Sequence, residues 1–160
     1  YKKILTEVLV NIINKTKKKF TKVNKATKIF QALRIIVNNE ISELISALSK
    51  SCNLISKNGV IVTITFHSIE DRICKFFFNN ISSIKKVSRY FPVNSDDNIY
   101  FELINKKPII PSLKEIEKNP PSRSAKLRAV RRKENNKVDT KFVYEKFKNL
   151  IEIERLASKL

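Results

Sequence analysis

Gly59-Val60-Ile61-Val62-Thr63-Ile64-Thr65-Phe66-His67-Ser68-Ile69-Glu70-Asp71-Arg72 holds the only glycine and the only histidine of this 160-residue chain, and its densest β-branched run. Val60 to Thr65, opened by Gly59, reads as a fully buried strand of a parallel sheet. At His67-Ser68 the pattern turns polar. Ser68 with Asp71 three residues later has the form of a helix N-cap and its partner. A strand that ends in a polar elbow and starts a helix puts His67 and Ser68 at the strand's carboxyl end, the edge where ligands collect in open α/β sheets. His67 and Ser68 are therefore the candidate pocket wall. His67 can also be a structural donor that fixes the elbow, and Asp71 can cap the helix or pair with Arg72.

Upstream of this stretch, Phe30, Leu33, Val37, Ile41, Leu44, Leu48, Cys52 and Ile55 step by three and four. That spacing predicts one amphipathic helix from near Thr27 to Ser56, stopped by Asn58-Gly59. Residues 1–14 carry another apolar stripe at helical spacing, followed by a basic connector from Lys15 to Lys25 that is either a solvated linker or a phosphate contact. Downstream, a helix to about Asn80 should bury Ile69, Ile73, Phe76 and Phe77. Asn94-Ser-Asp-Asp97 marks a loop, and residues 99–104 read as a strand. Ser112-x-x-Glu115 resembles a capping box that opens a short helix to Lys118.

Asn119-Pro120-Pro121 predicts an extended approach to the next element. Beyond it Ala125, Leu127 and Ala129 alternate with Lys126, Arg128 and Val130, a strand with one mostly basic face. Small hydroxyls around Arg123 suit a phosphate or another polar ligand. Residues 133–139 form a polar linker. Val143, Phe147, Leu150, Ile153, Leu156 and Leu160 then mark an amphipathic C-terminal helix that packs on the domain or docks on a partner.

A hydrophobic fraction of 42% in 160 residues supports one domain with a real core. The formal charge of +18, with arginines clustered at 123, 128, 131 and 132, points to a phosphate-rich partner. Cys52 and Cys74 are too few for a disulfide framework or a zinc site and read as reduced core thiols. No metal cluster, nucleophile arrangement, phosphate loop or membrane-length apolar run is present, and a cytoplasmic setting follows. The chain has no methionine and begins with Tyr1, so its first residue is not expected to be a translation start. A Rossmann-type cofactor turn needs several glycines. With one, either no such cofactor binds or the part that binds it is missing.

Three motifs occur in order: Ala26-Thr-Lys-Ile-Phe-Gln-Ala-Leu-Arg-Ile35, Thr65-Phe-His-Ser-Ile-Glu-Asp-Arg72, and Asn119-Pro120 with Ser122-Arg-Ser-Ala-Lys-Leu-Arg128. Over residues 1–132 the chain resembles the C-terminal half of the ribosomal RNA small subunit methyltransferase H family, the MraW type. The resemblance implies S-adenosylmethionine-dependent methylation of the exocyclic N4 of a cytidine in the decoding region of 16S rRNA. It implies an α/β fold: the C-terminal part of a class I (Rossmann-like) methyltransferase sheet with a remnant of an inserted helical domain. On that map residues 1–26 are the end of the insert and the basic connector. Residues 27–132 are the C-terminal part of the methyltransferase domain, and 133–160 are a linker and terminal helix. Val60–Phe66 would be the fifth strand, with 99–104 and 125–131 as an antiparallel edge pair.

The family's glycine-rich cofactor turn would lie upstream of Tyr1, so no S-adenosyl-L-methionine-binding residue is expected in this chain. Asn24-Lys25 replaces the family's His-Pro, and Pro121 replaces an arginine in a loop expected to face RNA. Catalytic groups are unassigned. Cytosine N4 is a poor nucleophile because its lone pair is delocalised, so the base must be unstacked and aligned with the donor. Arg123, Lys126 and Arg128 are the candidate rRNA backbone contacts. The expected partner is the small-subunit rRNA or the 30S subunit, with no membrane and no metal. Two other readings are a non-catalytic basic RNA-binding module derived from the enzyme, and half of a split methyltransferase.

Overall fold

The computed structural model describes residues 25–82 and 100–157. The stripe expected in residues 1–14, the basic connector to residue 24, the loop at 94–97 and Leu160 lie outside them. The chain divides into two compact units, residues 1–42 with 149–160, and residues 43–148.

In the smaller unit, helix α1 spans Lys25–Asn38, and helix α2, Glu40–Leu54, begins at its boundary. The single helix expected from Thr27 to Ser56 is therefore two. Asn39 separates them with φ +52°, a left-handed conformation that asparagine tolerates better than most residues. The break is locked by Arg34, whose Nε and Nη2 donate to the two Glu40 carboxylate oxygens at 2.8 and 3.2 Å. A one-residue break also turns the buried face. Ile35 and Ile41 are buried, whereas Leu33 and Val37 are exposed.

The C-terminal segment also breaks in two, into α5, Lys141–Lys146, and α6, Lys148–Ala157, in place of one amphipathic helix. Ile153 and Leu156 of its expected apolar stripe are exposed, while Glu154 is 1% exposed. The Glu154 carboxylate accepts the Ile41 and Ser42 backbone N–H groups at 2.8 and 2.9 Å, and the Ser42 hydroxyl. The first N–H groups of a helix lack intrahelical partners and carry partial positive charge, so a buried carboxylate is at home there.

In the larger unit, strands β1 (Val60–Thr65), β2 (Phe101–Leu103) and β3 (Lys126–Arg132) form a three-stranded sheet in the order β1-β3-β2. Both pairings are antiparallel, with Thr63 opposite Arg128, Thr65 opposite Lys126 and Phe101 opposite Arg132. Helix α3, Ser68–Ser82, contacts all three strands. It buries Ile73, Cys74, Phe77, Phe78 and Ile81, whereas Phe76 and Ile69 are only half-buried. Phe76 meets Phe147 edge-on and Phe142 at a tilt.

β1 departs from the expectation of a fully buried parallel strand. It has no parallel neighbour among the described residues, and Val60, Val62 and Ile64 are exposed while Ile61 and Thr65 are buried. Only one face of this sheet is covered by α3. The β-branched run satisfies strand propensity on both faces, but burial on one.

Gly59 does not supply the helix stop by a positive φ; Asn58 does, at +69°. Glycine is needed at 59 for space, since a Cβ there would sit 2.3 Å from Ile55 Cγ1. The expected polar linker is tied down as well. Val138 is buried, and the Asn53 amide bonds its N–H and carbonyl at 2.9 and 3.2 Å.

Candidate functional site

The elbow between β1 and α3 closes as a reciprocal cap, one residue earlier than the sequence suggested. Glu70 Oε2 accepts the Phe66 and His67 N–H groups at 2.9 and 3.2 Å, and the Glu70 N–H donates to His67 Nδ1 at 3.3 Å. His67 thus stands where a capping box normally has Ser or Thr, with Glu70 as its third-position partner. Its side chain is only 7% exposed, and Nε2 lies 3.2 Å from Glu70 Oε1. Ser68 is exposed and begins the helix.

That displacement frees Asp71 for another task. Its Oδ1 accepts from Arg128 Nε at 2.8 Å and its Oδ2 from Lys126 Nζ at 3.1 Å. It neither caps the helix nor pairs with Arg72. Burial by itself would push the Asp71 carboxyl up, but the hydrogen bonds and charges of Arg128 and Lys126 outweigh it and hold the group below the usual carboxylate value.

The basic face expected on the last strand therefore points inward. Lys126, Arg128, Val130 and Arg132 share the face that α3 covers, because Arg128 and Lys126 stand opposite the buried side of β1. Arg128 is 8% exposed and Arg132 2%. Arg132 answers its burial with backbone carbonyls. Its Nη1 donates to Ile55 at 3.0 Å and to Cys52, Nη2 donates to Asn136 at 2.7 Å, and Nε donates to Glu134 at 2.6 Å. Its guanidinium also lies 5.7 Å from the centre of the Phe101 ring. Of the three basic residues read as RNA contacts, Arg123 is exposed, Lys126 is half-exposed and Arg128 is enclosed by its pairing with Asp71.

On the opposite face lies a groove of about 220 Å³ lined by Ile64, Phe66, Ile109–Pro111, Glu115, Asn119, Ser122, Ala125 and Leu127. Its far wall is set by local hydrogen bonding. Ile109 and Leu127 exchange backbone bonds of 2.9 and 2.8 Å, and the Asn105 carboxamide accepts the Ala129 N–H at 2.9 Å. Ser112 caps helix α4, Leu113–Lys118, by accepting the Glu115 N–H at 3.2 Å, as its sequence implied. The two prolines do not extend the chain. They open a 3₁₀ turn over Pro120–Ser124, because their fixed φ suits a first helical turn. Ser122 is 4% exposed, and its hydroxyl has no partner among the described residues.

His67 and Ser68 are not among the walls of this groove; the neighbouring Phe66 is. Sequence reasoning passed over Phe66, although its parity with Val60, Val62 and Ile64 was a signal that it shares their open face. The two cysteines are buried and free, as expected, and burial pushes each thiol up to about 11. None of the described helices is long and apolar enough to cross a membrane.

The MraW methylase family matches residues 2–133. Proteins named ribosomal RNA small subunit methyltransferase H are similar to the chain. The one from Borreliella afzelii is 48% identical over 128 residues, 79% of this chain and 38% of its own length. The one from Sulfurihydrogenibium sp. is 46% identical over 111 residues, 69% of this chain and 33% of its own. That from Afipia carboxidovorans is 39% identical over 142 residues, 88% of this chain and 42% of its own. The chain spans from about a third to just over two fifths of the length of these curated relatives. With two of its three motifs joined through Asp71 and a family match over most of its length, this chain belongs to the MraW methylase family.

Proposed function

We propose that the chain is part of an enzyme that transfers a methyl group from S-adenosylmethionine to N4 of a cytidine in the decoding region of small-subunit ribosomal RNA. In this reading β1, β3 and β2 are the end of a class I (Rossmann-like) sheet. Residues 1–26 belong to an inserted helical domain, residues 27–132 to the methyltransferase domain, and residues 133–160 to a linker and terminal helices. The enzyme would act on the RNA or the 30S subunit in the cytoplasm. One observation supports this above the others. The Thr65–Arg72 and Ser122–Arg128 motifs, more than fifty residues apart, are tied by one carboxylate, Asp71, as parts of one site would be.

The residues present do not fit the methyl donor. Gly59 is the sole glycine, and its missing side chain is used against Ile55, so no glycine remains for a close backbone approach to a cofactor. We assign the donor to another part of the enzyme. The contribution of this stretch is then to position RNA. Arg123 and Lys126 contact backbone phosphates, Arg128 is held by Asp71 behind them, and His67 and Ser68 shape the elbow at the sheet's edge.

The charge of +18 makes this contact salt-dependent. Filter binding of single-stranded RNA to this chain should weaken steeply between low and high salt, and affinity indifferent to salt would contradict the phosphate assignment. Calorimetry with S-adenosylmethionine should show no saturable tight binding; such binding would place the donor site among these residues after all.

A further inference from the structure

We propose that the groove over Ile64 and Phe66 seats one unstacked nucleobase of the RNA, with the Phe66 ring as its stacking platform and the Ser122 hydroxyl at its polar edge. The inference rests on the RNA reading above and adds to it a base-recognition site separate from the phosphate contacts.

The size fits one ring. About 220 Å³ is less than the roughly 300–1,000 Å³ of pockets for drug-sized ligands. The chemistry fits a base better than a purely apolar guest. Ile64, Ile109, Ile110, Pro111 and Leu127 give apolar walls. Phe66 is 54% exposed, an aromatic ring with an open surface at the end of a strand. RNA recognition of unstacked bases uses such rings, with hydrogen bonds to the base edges.

Ser122 supplies an independent sign of a missing ligand. Its hydroxyl is enclosed in a residue that is 4% exposed, without a partner among the described residues. A buried hydroxyl left unpaired is costly, and a small polar ligand relieves that cost. It can donate to a ring nitrogen or carbonyl, while the Glu115 carboxylate on the same groove can accept from an exocyclic amine. Exposed Arg123 is the next residue after Ser122.

The test is a fluorescence titration of the whole chain with a short single-stranded oligoribonucleotide carrying one 2-aminopurine. The chain has no tryptophan to interfere. Binding should quench the probe. Phe66→Leu should remove the quenching and weaken binding by about five- to a hundredfold, the range for losing one base–aromatic stack. It should leave the slope of log affinity against log salt unchanged. Phe66→Tyr should keep both, and Ser122→Ala should weaken binding severalfold with quenching retained. Unchanged thermal melting of Phe66→Leu by circular dichroism separates these effects from misfolding. If Phe66→Leu binds and quenches like the unaltered chain while the salt slope stays steep, the groove proposal falls and the RNA reading stands. If the unaltered chain binds no RNA at low salt, both fall.

Discussion

On the face of the sheet that α3 covers stand Lys126, Arg128 and Arg132 beside Ile61, Val130 and Phe101; on the other stand exposed Val60, Val62 and Ile64 with half-buried Leu127. Exposed Arg131 and Glu102 share that open face, yet the enclosed cations on the covered face depart from the usual division of charge outside and hydrocarbon inside. The difference teaches that burial in this unit follows partners rather than polarity. Each enclosed guanidinium has its acceptors in place, Asp71 for Arg128 and four carbonyls for Arg132. The open valines and Ile64 lie on the face that α3 does not cover, and part of that surface forms the groove with Phe66.

The comparison breaks most sharply at Arg132. Arg132→Ala would strand four carbonyls and remove the cation beside Phe101. It should destabilise the chain by about 3–5 kcal/mol in urea denaturation, the range for breaking a buried charged network. Asp71→Ala should cost somewhat less, about 3 kcal/mol, because Lys126 can turn to water while Arg128 cannot. The same carboxylate sets a pH response. Its folded pKa lies below the ordinary 3.8, so its stabilisation is full above that value and is lost as pH falls through the folded value. Urea midpoints of the unaltered chain should therefore drop below about pH 4 more steeply than those of Asp71→Ala. On the other face Val62→Thr should shift the midpoint by no more than about 0.5 kcal/mol, as for a surface site. A large loss there would mean that the open face is covered.

Much of this was legible in the sequence. The strand at Val60–Thr65, the helix after it and the Ser112 cap follow from local pattern, whereas the antiparallel pairing of the two later strands came from the family resemblance. What was not legible has definite causes. Spacing by three and four survives a single left-handed residue, so the break at Asn39 leaves no trace in the periodicity. Alternation along Lys126–Arg132 shows that two faces exist, but not which one a helix will cover; that depends on Asp71 arriving from α3. The cap was displaced by one residue because Ser68 is a better N-cap by type than His67, yet Glu70 is the carboxylate that reaches back to the elbow. Nothing in the apolar pattern of the terminal segment singles out Glu154, and only the start of α2 explains its burial. The groove was hidden because it draws on segments from Ile64 to Leu127 that no short motif unites.

Asp71 and Arg128 form one interaction that joins two distant motifs. A double-mutant cycle with Asp71→Asn and Arg128→Met, read by urea denaturation at pH 7, measures that coupling directly. We predict a coupling energy of about 2 kcal/mol or more, with the double variant more stable than the sum of the single losses implies. Additive losses, with coupling below about 0.5 kcal/mol, would contradict it.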